Sequence, residues 1–522
     1  MSAKAARGPT RILATAASHR HSGQVPPEQL EQEIERLRRE NEQLREQLAE
    51  RERQRAEDQK KIVELERQLA GFQKDSSNSS KPPSTDATDA KEARQRYPVR
   101  KKSKRKPGGQ KGHPGKHRPL APPERVDQVV AVAAKSCSHC GTELPSPGDP
   151  GYQTEGELQR HQVVELPPIR AHITEYQLAR VVCPCCRKGT RPPLQPELRC
   201  EFGPRLAALV GYWTVVCRMP RSVVKTMLEA VLQIPISLGS TQKLWEEAGE
   251  AVRQPCQQLE KQLNQQPVLN VDSSGWRTNG ERRCIVVLVA MQYVCYRIVH
   301  SHNWEMLLTL LGAAFGGVLC SDRGGEYGKY RRQHPGLIQY CWAHLKRNIQ
   351  AVLDFAGSEE GRQFCRDTLA IHAGLFRLWH QYRRKIINRS QLMEKSIRLE
   401  KKLLALAERH LDSTEAEVRN MAQALFENFE HLFTFIYREG IEPTNNAAER
   451  ALRIAVQWRK VMFGNRSGRG EETVARLLTV SQTCLRQQRS ALDYLAEAIR
   501  CHRSGQPAPS LIPKPQSSAP GG

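Results

Sequence analysis

A chain of 522 residues is long enough for two to four compact units, and its 80 lysines and arginines against 56 acidic residues give a net charge of +24, which draws it toward a polyanion. No apolar run reaches the roughly 18 residues of a membrane span, and no secretory apolar core opens the chain, so the expectation is a cytoplasmic protein whose leading partner is nucleic acid. Fifteen cysteines do not argue for disulfides, because most stand singly in apolar runs such as RRCIVVLVA and YVCYRIV, as small buried thiols do in a reducing compartment.

After a stretch over 1–27 expected to be disordered, a heptad runs through Leu30, Ile34, Leu37, Asn41, Leu44 and Leu48. It stays in register through polar Arg51, Arg55 and Asp58 to Ile62, Leu65 and Leu69. Spacings of four and three keep these residues on one side of a helix, which predicts a coiled coil over 28–72, with Asn41 as a register-fixing polar pair between parallel partners. A lone charged helix is the competing reading, since the middle of the seam is polar. Residues 73–124 read as a linker (KDSSNSSKPPSTDATD) followed by a basic segment. Eleven lysines and arginines stand between Arg94 and Arg118 without an acidic residue. Arg100, Lys101, Lys102, Lys104, Arg105 and Lys106 are its densest part and candidate phosphate contacts on DNA.

Over 125–200, Cys137-Ser-His-Cys140 is matched by Cys183-Pro-Cys-Cys186. Between them HQVVELP and AHITEYQLARVVC alternate as strands do. Two knuckles at strand ends can offer four thiolates to one Zn²⁺, here Cys137, Cys140, Cys183 and Cys186, giving a zinc-ribbon-like module that folds because the metal binds. His139 and Cys185 are rival ligands. Residues 201–265 predict helices, with a break at IPIS and Ser237 or Ser240 as cap, which makes a helix-turn-helix candidate or an ordinary helical subdomain.

The character changes near 267. PVLNVDSSGW, RRCIVVLVAMQ and YVCYRIVHS read as three strands, NWEMLLTLLGAAF as a helix, and GGVLCSD as a further strand. That order predicts an RNase-H-like mixed sheet over 266–354, with Asp272 and Asp322 at neighbouring strand ends. Hard divalent cations take carboxylate oxygens, and paired metal ions suit attack on a phosphodiester; a turn-capping aspartate is the plainer alternative. LIQY leads into CWAHLKRN, where His344 and Arg347 share a helix face and could meet a phosphate, or His344 is simply structural. An α-helical insertion is expected over 355–440. Over 441–500, Thr444 or Asn445 can cap a helix carrying Glu449, Arg450 and Arg453, with Glu442 and Glu471 as rival carboxylates. FGNRSGRG reads as a flexible basic loop, and 501–522 as a disordered tail.

VDSSGW, GVLCSDRGGEY, QYCWAHLKRN and PTNNAAERALRIAVQWRKVMFG, with SSNSSKPPSTD and KRKPGGQKGHPG upstream, together resemble the motifs of the IS66 family of bacterial insertion-sequence transposases, in order and over roughly 28–500. The resemblance implies an α/β architecture: an RNase-H-like mixed-sheet catalytic domain of DDE type with an α-helical insertion, preceded by coiled-coil, zinc-ribbon-like and helical DNA-binding modules. It implies Asp272, Asp322 and Glu449 as the triad holding two Mg²⁺ or Mn²⁺ ions, one structural Zn²⁺, double-stranded DNA (transposon ends and target) as partner, a homodimer or higher oligomer, accessory proteins encoded by the same element, and a place on the bacterial nucleoid. Where the family often continues with an acidic residue and a threonine, Ser273 and Ser274 follow Asp272. An RNase-H-like hydrolase or resolvase that cuts without joining shares the carboxylates, and a catalytically dead DNA-binding regulator would share the basic segments.

Overall fold

The heptad region folds as one helix, α1 (Pro27–Phe72), built from strong helix formers and supported by Glu33–Arg36 and Glu35–Arg39 pairs at 3.1 and 3.7 Å. Along it Ile34, Leu37, Leu44, Leu48 and Ile62 are exposed, and Asn41 Nδ2 donates to the Leu37 carbonyl at 3.3 Å. The computed structural model describes residues 27–72, 118–156, 158–312, 315–333 and 337–512. The expected linker and all of the basic run but Arg118 lie outside the described residues. The helix is one unit of the chain and the described residues from 118 onward belong to another.

In the second unit, residues 118–200 form two turns of the same design. Cys137 N–H donates to the Thr142 carbonyl at 2.8 Å while Gly141 N–H donates back to Cys137 at 2.9 Å; Cys183, Lys188 and Arg187 repeat the pattern at 2.9 and 2.9 Å. The second turn joins β1 (Val181–Val182) to β2 (Gly189–Thr190). HQVVELP and most of AHITEYQLARVVC are not strands: Val163, Val164 and Ile173 are exposed, so their alternation has no sheet face to bury.

Four helices follow: α2 (Pro204–Val215), α3 (Arg221–Leu232), α4 (Leu238–Ala251) and α5 (Arg253–Lys261). Ser237 caps α4 by accepting from Ser240 N–H at 2.9 Å, and Gln233 closes α3 in the left-handed region. Thr241, Leu244, Trp245, Ala248, Gly249 and Ala251 bury one side of α4 against the core, while Leu238, Gly239 and Lys243 near its start are exposed.

The five-stranded sheet runs in the order β5-β4-β3-β6-β7. β3 (Val268–Thr278), β4 (Glu281–Val289) and β5 (Val294–Val299) form an antiparallel meander. Asn279 and Gly280, both at positive φ (50° and 80°), make its first turn, the Asn-Gly chemistry a tight hairpin needs. Helix α6 (Trp304–Leu311), capped by Asn303, crosses to β6 (Val318–Ser321); α7 (Gly325–Gln333) leads to β7 (Leu337–Tyr340). β6 lies parallel to β3, and β7 parallel to β6. A mixed sheet of this order flanked by helices is consistent with an RNase-H-like core.

Beyond β7 come α8 (Trp342–Phe355), α9 (Glu359–Arg383), α10 (Arg389–Arg409), α11 (Ala416–Glu427) and the short α12 (Phe429–Leu432) and α13 (Thr434–Tyr437). They cover the β7 edge. Buried Gln339 donates to the Leu432 carbonyl at 3.1 Å and accepts from Phe435 N–H at 2.8 Å, and Thr434 Oγ1 donates to the Ile338 carbonyl at 2.7 Å. The chain returns through α14 (Asn446–Met462), α15 (Gly468–Arg486) and α16 (Ala491–Arg503). At the opposite edge, Thr479 Oγ1 accepts from Tyr296 N–H at 3.0 Å, and Thr483 Oγ1 accepts from Val294 N–H at 3.2 Å while donating to its carbonyl at 3.1 Å. One helical turn on α15, about 6 Å, matches two residues of strand, about 6.6 Å.

The expected tail from 501 is ordered to 512. Arg503 forks onto Glu247 at 2.7 and 2.8 Å, and Leu511 is fully buried. A charged fork and a single leucine carry no periodic signal, which is why the sequence reading stopped at 500.

Candidate active site

The register between β3 and β6 sets the site. Val268 pairs with Val318 and Asn270 with Cys320; the same register carried two residues on brings Asp272 alongside Asp322, just past the end of β6. Asp272 is therefore not at a strand end, as the sequence suggested, but within β3. β4 goes on pairing through Asp272↔Val287 to Thr278↔Glu281, while the β6 side falls open. Half-buried Asp272 thus keeps one flank unoccupied by backbone. Its Oδ1 accepts from Ser273 N–H at 2.8 Å, and Asp322 Oδ1 accepts from Gly324 N–H at 3.0 Å.

Glu449 arrives from α14. Asn445 is the N-cap, yet its side chain makes no capping bond. Instead its Nδ2 donates to the Val271 carbonyl at 2.6 Å, its Oδ1 accepts from Asn270 Nδ2 at 3.0 Å, and its own N–H donates to Cys341 Sγ at 3.2 Å. This buried amide ties the start of α14 to the strand that carries Asp272 and to the start of α8. Along β3 and α14, Trp276 stacks on Trp458 with centroids 5.5 Å apart, and Arg459 donates to Ser274 Oγ at 3.3 Å.

Glu449 Oε1 faces Arg347 Nη2 and His344 Nδ1, each at 3.3 Å. The shared face predicted for His344 and Arg347 is thus turned to a carboxylate of the chain itself. Burial first, then Arg347, holds His344 below the usual imidazole range, so the ring is neutral near pH 7. Cys341, His344 and Glu449 bring their ligand atoms within 4.8 Å of one another, a sulfur–nitrogen–oxygen set that would suit a softer cation than magnesium.

The electrostatics link the acidic residues. Burial pushes the Asp272 carboxyl up to about 7; the like charges of Asp322 and Glu449 push the same way, against the Ser273 amide and His302. The sequence reading missed His302 and Glu326. Ser273 Oγ and His302 Nδ1 are 3.1 Å apart, Glu326 Oε1 lies 3.1 Å from the same nitrogen, and Tyr327 OH is 3.4 Å from His302 Nε2. The His302 contact first of all lowers the Glu326 carboxyl below its ordinary value. The only signal for these residues was their place, just after β5 and one turn beyond Asp322. Arg323 was also missed: it is held below its ordinary range by burial, with a buried Nε that has no hydrogen-bond partner among the described residues.

The rival carboxylates go elsewhere. Glu442 pairs with Arg383, and Glu471 lies 3.5 Å from Arg283. Arg450 and Arg453 are exposed. Each Cys-x-x-Cys segment folds as a turn: His139 N–H points at Cys137 Sγ at 3.4 Å, and Cys140 Sγ lies 3.2 Å from Thr142 Oγ1. The Thr142 hydroxyl chiefly lowers the Cys140 thiol below its ordinary value, and the Cys186 amide does so for Cys183. Among the described residues the four cysteines do not gather into one ligand cluster.

Among known families, a model described as the transposase IS66 family matches residues 199–473, just over half of the chain. A second, described as a family of unknown function (DUF6444), matches residues 21–119. No curated protein matches the chain.

Proposed function

Because the chain belongs to the IS66 family of transposases, we propose that it cuts DNA at the ends of a mobile element and joins the freed 3′-hydroxyl to target DNA, with Asp272, Asp322 and Glu449 as the carboxylates of the reaction. The observation that supports this reading is the β3–β6 register that sets half-buried Asp272 alongside Asp322, with the negative charges of Asp322 and Glu449 both acting to raise the Asp272 carboxyl; among the described residues the ligand atoms that gather within 4.8 Å join Glu449 to Cys341 and His344 instead. Three oxygen ligands that repel one another fit a pair of hard divalent cations, Mg²⁺ or Mn²⁺. Held there, such cations supply charge neutralisation at the phosphate and an activated oxygen.

The chain's own residues do the rest. Asn445 fixes the carboxylate-bearing helix to the strand beneath it. Ser273, His302 and Glu326 hold the polar wall on the other flank of Asp272. Arg347 sets the Glu449 rotamer, and Arg450 and Arg453 face solvent where a phosphate backbone would approach. The basic run with Arg100, Lys101, Lys102, Lys104, Arg105 and Lys106 supplies sequence-independent affinity for double-stranded DNA. Zn²⁺ binding would draw the four knuckle cysteines, which stand as two separate turns in this structure, around one ion; α1 pairs protomers, and the protein works on the bacterial nucleoid.

The test is Glu449→Gln beside Glu442→Gln and Glu471→Gln, assayed on a labelled transposon-end duplex. Binding should persist in all three, while cleavage and joining fall roughly 10²-fold or more only in the Glu449 variant. Full activity of that variant refutes the triad. Cleavage by the unaltered protein without joined product assigns a hydrolase or resolvase, and metal-independent binding with no product assigns a regulator.

A further inference from the structure

We propose that Phe463 is a stacking platform for an unpaired base of the DNA carried by the proposed active site, an inference that rests on the transposase reading. Phe463 is 87% exposed and sits at φ 59°, a backbone conformation bulky side chains seldom adopt. FGNRSGRG was expected to be a flexible loop, but the backbone that carries the ring is fixed on both sides. Before it, Phe463 N–H donates to the Arg459 carbonyl at 2.8 Å and closes α14. After it, Gly464 packs so tightly that a Cβ there would collide with the Arg277 carbonyl. Asn465 donates to that carbonyl at 3.0 Å and accepts from Asn279 N–H at 2.8 Å, and its Oδ1 accepts from Trp276 Nε1 at 2.8 Å. The backbone under Phe463 is thus clamped to the β3–β4 hairpin while its ring is held out in water.

The surroundings are cationic. Arg277 and Arg282 pair directly across the hairpin, an arrangement of like charges that costs stability unless an anion joins it. Lys460 and Arg466 flank the ring in sequence. Among the described residues none of these four cations has a carboxylate partner. Along α14 the exposed polar positions are Asn446, Arg450, Arg453, Gln457 and Lys460, with apolar Val461 exposed beside the last; their repeat of three and four makes one cationic stripe. From Glu449 to Phe463 that helix rises about 20 Å, roughly six base pairs of duplex. A DNA arm lying on the stripe therefore has one phosphate at the carboxylates and a base step at the ring. An aromatic face binds a base only when the base has left its stack, so the ligand is an unpaired nucleotide adjoining duplex.

The experiment uses the full chain without divalent metal and two fluorescent probes, a blunt duplex and the same duplex ending in an unpaired thymine flap. The unaltered protein should bind the flapped probe about 10-fold more tightly. Phe463→Ala and Phe463→Leu should bind the blunt duplex within about twofold of wild type and lose the preference, while Phe463→Trp keeps it. Retention of the preference in the alanine variant, or binding to both probes alike by the unaltered protein, overturns the platform and leaves the transposase reading standing. Failure to bind either probe overturns both.

Discussion

Asn445→Leu, which keeps much of the volume and removes both polar atoms, is expected to separate positioning from binding. Asn445 is 1% exposed, and its loss strips a donor from the Val271 carbonyl and an acceptor from Asn270 Nδ2. Each buried group left unpaired costs about 1–3 kcal/mol, so destabilisation of about 2–6 kcal/mol is expected, or roughly 2–7 °C in melting temperature for a unit of this size. The same amide sets where Glu449, one turn along α14, stands relative to Asp272. A misplacement of about 1 Å is enough for a loss of 10²-fold in turnover. Assayed well below its melting point on an end-DNA duplex, the variant should therefore lose kcat while DNA affinity moves less than about threefold. Asn445→Asp should be harsher, since it sets an acceptor against the Val271 carbonyl and adds a fourth negative charge. A leucine variant that melts like the wild type refutes the bonding account; one that melts early yet turns over normally refutes the positioning account.

His372, beside Trp342 and Phe376, is pushed down to about 4 by burial and then by Lys346. Its folded value lies below the ordinary one near 6.5, so its stabilising contribution is full above that pH and is lost as pH falls toward 4. The change is up to about 3 kcal/mol, and His372→Phe should flatten the denaturation profile across that window. A fragment of residues 125–200 should bind one Zn²⁺ by elemental analysis, and Cys140→Ser or Cys186→Ser should abolish it; a zinc-free folded fragment would count against the shared site. A fragment spanning 20–78 should sediment as a dimer at high micromolar concentration, and a monomer there would remove the pairing role given to Leu37, Leu44 and Leu48. Thr479→Val with Thr483→Val keeps the shape of α15 but leaves the Val294 and Tyr296 amides unpaired; a drop of about 2–4 kcal/mol in denaturant stability is expected, and no drop would show that water serves that edge as well.

What could be read from the sequence were features written in local pattern. Three apolar runs, a helix and two more strands fix the sheet, and their order makes the two aspartates neighbours, since parallel strands one crossover apart tend to lie side by side. A helix starting near 446 was also legible, with Glu449 in its first turn. Contacts between elements distant in sequence were not. Asn445 looked like a cap because asparagine before an apolar-periodic stretch usually is one; only the packed fold reveals that its amide serves β3. Phe463-Gly464-Asn465 read as flexible because glycine and asparagine favour turns, and nothing local says that a turn will be bolted to a hairpin nearly two hundred positions earlier.

The two sheet edges have a consequence for assembly. Strand addition is a common way for β-containing proteins to recruit a second copy, and it requires a row of free amides and carbonyls. Here Gln339 and Thr434 engage the β7 edge, and Thr479 and Thr483 the β5 edge. Continuous-sheet dimers and fibre-like stacking through these two strand edges are accordingly closed to the sheet. Under the proposed function, protomers brought together on DNA would have to meet through helical or nucleic-acid surfaces, which leaves the strand framework beneath Asp272 and Asp322 untouched by pairing.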